Sequence, residues 1–135
     1  MSWIDPNINW TGANDEYFDP ITDYNRIKGN IEYLHDLGQT LYPAFSIVPL
    51  ETITLGQILT LSYFNNVPNG INSIKNNTFT PVGYQVLKSY AANKSAWDYR
   101  ELNKIENNIL LLNQLLTSQK KARRRLSFRL GGGKI

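Results

Sequence analysis

The chain has 135 residues, enough for one domain with a modest core and too few for two large ones. Hydrophobic residues make up 41% and charged residues 19%, which argues against wholesale disorder and leaves a polar, weakly charged surface suited to burial against other subunits. No cysteine and a single histidine, His35, exclude disulfides, thiolate metal sites and a histidine-built zinc cluster, and no apolar run approaches the ~18 residues of a membrane span.

Residues 1–18 carry Trp3, Trp10, Tyr17 and Phe18 among Asp, Asn and Gly without a period. They read as an extended N-terminal arm whose aromatics anchor it to a surface, with Trp3 and Trp10 as candidate partner-binding residues. The opening MSWIDPNINW lacks the basic-then-apolar order of a secretory leader, so synthesis in a cytoplasm is expected. Asp19-Pro20 is a helix start, with Asp as N-cap and Pro at the first helical position. The first helix is expected from about Pro20 to about Leu37, with Gly38 near its end.

The stretch LYPAFSIVPL, Leu41 to Leu50, holds two prolines and reads as a connector packed by its own apolar residues. Thr54 with Gln57 resembles a capping box that opens a second helix. That helix is expected through about Phe64; Pro68 and Gly70 then interrupt the pattern, and a break there, with a new helix starting at Pro68 and running to about Asn76, is the favoured reading over a kink. Residues 77–94 are ambiguous between a short helix capped by Thr80-Pro81 and an extended run. Ser95 with Asp98 starts the last helix, expected to reach about Lys121. Beyond it, Arg125 to Leu130 alternates polar and apolar residues, the period of a β-strand, before Gly131-Gly132-Gly133.

Three segments repeat one pattern: YNRIKGNIEYL at 24–34, FNNVPNGINSI at 64–74 and LNKIENNILLL at 102–112, offset by 40 and 38 residues. Each has an apolar residue (Tyr24, Phe64, Leu102) followed by an asparagine (Asn25, Asn65, Asn103). Three aliphatics follow in each: Ile27, Ile31 and Leu34; Val67, Ile71 and Ile74; Ile105, Ile109 and Leu112. Their 3–4–3 spacing makes one stripe of a helix, extended to Leu116 in the third copy. The fold class is therefore mainly α, with three helical repeat units near 20–37, 54–76 and 96–121, an extended arm and a short C-terminal strand. The organisation is an arm (1–18), a helical repeat domain (19–122) and a basic tail (123–135).

The repeated asparagines have two readings, as ligand-binding amides at equivalent sites or as groups that bond the backbone of an adjoining segment and fix how the units stack. The second is favoured, because an asparagine beside an apolar stripe sits at a packing margin. Asn30 and Asn108 also align, whereas the middle copy has Gly70 there. The acid pairs Asp15-Glu16 and Asp19-Asp23 lie in no motif that sets carboxylates across a cleft, and capping explains the latter. There is no phosphate-binding glycine loop and no metalloprotease motif, and nothing argues for an enzyme, a cofactor, a metal or a small-molecule substrate.

The net charge of +3 hides an asymmetry. Of the fourteen Lys and Arg, seven lie in residues 120–135, which hold no acid, leaving seven against eleven acids elsewhere, a balance of −4. The tail, with Arg123, Arg124, Arg125, Leu126, Phe128, Arg129 and Leu130, is expected to dock on an acidic partner, which could be another copy of this body. A nucleic-acid arm is the less favoured reading.

DYNRIKGNIEYL after a Trp-rich arm, then LYPAFSIVPL, ELNKIENNILLL and the ending QKKARRRLSFRLGGGKI resemble, in order and over nearly the whole chain, small tail-associated proteins of phages and prophages of Gram-positive bacteria. The resemblance implies a structural component of the virion tail, at the baseplate, tail tip or fibre attachment point, made in the host cytoplasm. Its implied partners are other tail proteins and copies of itself, with no membrane contact, and it offers no catalytic residues to carry over. The departure is Pro68-Asn69-Gly70 in the middle copy.

Overall fold

A computed structural model describes residues 3–13, 16–53, 61–88 and 97–132. The protein is mainly helical, and among the described residues there is no strand. Asp19 caps the first helix as its sequence suggests: its carboxylate accepts the Ile21 N–H at 3.0 Å, Pro20 takes the first position, and Asp23 reaches back to the Asp19 N–H at 2.7 Å. A π-helical turn, Pro20–Tyr24, leads into α1, Asn25–Leu41. The other helices are α2, Leu61–Asn77, and α3, Tyr99–Gly132.

The three helices run in the same direction. Near their starts, the Tyr24 and Tyr63 rings meet edge to face at 5.2 Å, and Arg26 pairs with Glu106. Midway, a Cβ on Gly70 would lie 3.3 Å from Ile31. At the far end the Tyr42 hydroxyl donates to Gln119 at 2.8 Å, and Arg123 donates to the Leu41 carbonyl. A 17-residue helix is ~25 Å long, so each connection must travel back that distance before the next helix starts. The described parts of the connectors lie outside the bundle, as does the N-terminal arm, while the stripes face its axis. Tyr24, Ile27, Ile31 and Leu34 of α1, Val67, Ile71 and Ile74 of α2, and Ile105, Ile109, Leu112 and Leu116 of α3 are all fully buried. Leu102 is buried as well, and Phe64 is half-buried with its ring 4.9 Å from Trp97.

Several sequence expectations are corrected. Pro68 does not break the second helix, since α2 passes through it. A proline inside a helix costs ~3 kcal/mol, whereas burying Val67, Ile71 and Ile74 returns roughly 1.5–3 kcal/mol each, so packing wins. The proposed capping box of Thr54 and Gln57 lies outside the described residues. Asp98 directly precedes α3 and accepts the Glu101 N–H at 2.9 Å, while Ser95 lies outside the described residues. Of the two readings of residues 77–94, the short helix capped by Thr80-Pro81 does not form in the described part: Pro81–Gly83 is a turn, and 84–88 are neither helix nor strand.

The C-terminal strand expected over 125–130 is absent, and α3 continues through those residues to Gly132. Adding residues to an existing helix needs no new nucleus, and Arg and Leu are good helix formers. A strand would need a ladder partner, which a helical neighbourhood does not supply. The alternation that suggested a strand also places Leu126 and Leu130 four residues apart, a helical spacing.

Candidate functional site: asparagine clamps and a buried carboxylate

Four asparagines of α1 and α3 are directed at the backbone of the segments outside the helices. Asn25 donates from Nδ2 to the Ile53 carbonyl at 3.1 Å and accepts the Ile53 N–H at 3.4 Å. At the equivalent position of α3, Asn103 donates to the Trp10 carbonyl at 2.7 Å and accepts the Trp10 N–H at 2.9 Å. Five residues further along each helix the arrangement recurs. Asn30 pairs with both backbone groups of Ile4, at 2.6 and 3.0 Å, and Asn108 with both of Gln85, at 2.7 and 2.9 Å. A carboxamide carries one acceptor and a donor pair in a plane, so it satisfies one residue's N–H and C=O together, as a neighbouring strand would. Asn30 and Asn108 are buried with both ends paired, so these amides are structural clamps.

In α2, Asn65 occupies the position equivalent to Asn25 and is half-buried. Gly70 replaces the second asparagine because α1 and α2 approach closely there, with Ile31 filling the space a side chain would need.

Between the two clamped points of the arm lies Glu106, fully buried in α3. Its Oε1 accepts the Asn7 N–H at 3.0 Å and Arg26 Nε at 2.8 Å, and its Oε2 accepts the Trp10 indole N–H at 2.7 Å and Arg26 Nη2 at 2.8 Å. Arg26 also pairs with Asp23 at 2.6 Å. Burial works against the Arg26 charge, but the hydrogen bonds it donates to Glu106 and Asp23 outweigh it, so its pKa lies above the ordinary value. A second buried carboxylate, Glu101, accepts the Lys88 N–H at 2.8 Å. Neither acid was singled out from the sequence; the only trace was their position beside an apolar stripe.

Of the residues proposed to bind a partner, Trp10 is buried in this chain's own core, and Trp3 is half-buried with its ring 5.6 Å from Tyr33. Arg123 lies over the Tyr42 ring, 5.4 Å from its centre, and caps the carbonyl end of α1. Arg124 is exposed, while Arg125, Leu126, Phe128, Arg129 and Leu130 belong to the helical extension of α3. His35 bonds the Phe45 carbonyl at 2.6 Å and stacks edge-on with its ring. Among the described residues no three His, Cys, Asp or Glu side chains are placed to share a metal ion, and no helix is long and apolar enough to cross a membrane.

No family model matches the chain, and neither the curated proteins nor the solved structures include a significant match to it.

Proposed function

We propose that this protein is a non-enzymatic structural building block or adaptor of a bacteriophage tail, present in several copies and ordered by its neighbours. The observation that carries this reading is the set of asparagine clamps. The buried polar groups at the helix margins go to holding extended segments in register, which is the work of a scaffold and leaves no reactive constellation among them. The sequence resemblance to tail-associated proteins supplies the biological setting. Within this reading the chain comprises three related units, each an outer segment followed by a helix, with matching asparagines in α1 and α3.

The docking element is the end of α3. Among the described side chains Leu116 is the last of the fully buried stripe, and Lys120, Lys121 and Arg124 are exposed. From there a cationic helix continues to Gly132, past the end of α1 at Leu41. Its charge suits an acidic partner surface, and a helix carrying apolar residues can lie in a groove of a tail protein or of another copy. Mass spectrometry of purified virions tests the assignment: the protein is expected in the particle in multiple copies, and absence from it refutes the tail reading.

The same exposed cations favour one rival, a nucleic-acid-binding regulator that uses this helix end. That reading requires DNA binding by the purified chain which weakens steeply as salt rises.

A further inference from the structure

We infer that the N-terminal arm, residues 3–13, is an exchangeable element that seats on the α1/α3 groove of a second copy as well as on its own. The groove recognises mainly main chain. Asn30, Glu106 and Asn103 bind the backbone of Ile4, Asn7 and Trp10, and one indole fills a pocket above Glu106. These receiving groups are buried or half-buried, so an empty groove would leave amides and part of a carboxylate without partners. Something extended must fill it, and the occupant whose chemistry fits is this arm, from whichever copy it comes.

The neighbour order of the first asparagines points the same way, whereas the second ones, Asn30 on Ile4 and Asn108 on Gln85, hold the segment that leads into their own helix. Ile53, which leads towards α2, is gripped by the preceding helix α1. Trp10, which leads into α1, is gripped by α3, the last helix of the chain. Within one molecule this closes a ring. Between molecules it lets α3 of one copy precede α1 of the next, so that the same rule runs on from copy to copy. Such a heterologous contact links subunits in series.

The tether is suited to opening. Thr11, Gly12 and Ala13 are exposed, and the turn is braced by the Glu16 carboxylate, which accepts the Thr11 N–H at 2.9 Å and the Gly12 N–H at 2.8 Å. Gly12 has a φ of 78°, a left-handed conformation that an extended tether would not need. Exchange keeps every clamp and gives up this brace and the 3.0 Å bond from the Glu16 N–H to the Ala13 carbonyl, and under the proposed function crowding of copies supplies the high local concentration that favours it.

The chain has no cysteine, so single thiols report on the seat without background. Trp3→Cys and Tyr33→Cys chains, one isotopically labelled, are refolded together at high concentration and equilibrated in a thiol–disulfide buffer. Exchange sets the position-3 thiol of one chain beside the position-33 thiol of another, so mixed disulfides should exceed both homodisulfides. Glu16→Ala, which removes the brace, should raise that excess, and sedimentation of Glu16→Ala without any added cysteine should reveal species larger than a monomer. A statistical disulfide mixture in both backgrounds, or a Glu16→Ala chain that stays monomeric at all concentrations, overturns the proposal. The outcome is independent of the tail reading, because a protein absent from virions could still exchange arms, and a virion protein could fail to.

Discussion

The Trp10 indole N–H donates to the Glu106 carboxylate at 2.7 Å across 96 residues of sequence, joining the first segment of the chain to its last helix. Glu106 is fully buried and already paired with Arg26, so this contact lies in a dry network in which each partner depends on the others.

Removing the carboxylate leaves the Arg26 guanidinium buried with only Asp23 and strands two N–H donors of the arm. Glu106→Ala is expected to cost ~3–5 kcal/mol, and Trp10→Phe, which loses one charge-assisted hydrogen bond and some volume, about 1.5–3 kcal/mol. Urea denaturation of both variants checks the order. A loss below about 1 kcal/mol for Glu106→Ala would mean that the network contributes little to stability.

The clamps give a graded series. Asn103→Ala and Asn25→Ala each remove two hydrogen bonds, but Asn103 holds Trp10 at shorter distances than Asn25 holds Ile53. Losses of about 1–3 kcal/mol are expected, larger for Asn103→Ala, while the exposed Asn76→Ala should stay within about 0.5 kcal/mol. Hydrogen exchange at the Trp10 amide offers a local readout and should accelerate only in Asn103→Ala.

Two glycine substitutions should move stability in opposite directions. Gly29 sits in α1 with open space around its missing Cβ, so Gly29→Ala should stabilise by ~0.5–1 kcal/mol. At Gly12 an added Cβ would stand 2.5 Å from the Tyr99 ring in a left-handed backbone, so Gly12→Ala should destabilise. Thermal melts of the pair, taken side by side, settle the signs.

Burial raises the pKa of the Tyr24 and Tyr84 phenols well above their ordinary value of about 10. A group whose folded pKa is raised contributes stability that is complete below its unfolded pKa and lost as pH rises towards the folded one. Stability should therefore hold steady to near pH 10 and then fall, because the unfolded chain ionises first. Phenolate absorbance should show these two tyrosines titrating only with unfolding, and Tyr24→Phe should flatten the alkaline decline. A Tyr24 that titrates freely in the folded state would contradict the burial argument.

Truncation after Arg124 removes the α3 extension but keeps the Arg123 cap on α1. The body should melt within about 0.5 kcal/mol of the full chain, since the fully buried stripes of the three helices, up to Leu116, are all retained. Under the proposed function the shortened protein should fail to enter the particle, and incorporation at normal occupancy would make the extension a solvated end.

What the sequence determined by itself was periodic or local. The 3–4 spacing marked Ile27, Ile31 and Leu34 and their counterparts in α2 and α3, because a helix repeats its faces within a few residues. Asp19-Pro20 marked a helix start because capping involves only neighbouring backbone. The repeated asparagines were visible as a pattern, and backbone bonding was their favoured reading, but which segments they grip was not. Asn25 reaches Ile53 and Asn108 reaches Gln85 because parallel helices force their connectors back along them, and Asn30 and Asn103 reach Ile4 and Trp10 because the arm lies along α1 and α3. Tertiary packing also carried α2 through Pro68, where the burial of Val67, Ile71 and Ile74 outweighs the local penalty. It made Glu106 a buried hub, since a carboxylate is tolerated in a core only when donors from distant parts of the chain converge on it. At residues 125–130 two local periods fitted the same letters, and the outcome followed from the helix already formed upstream.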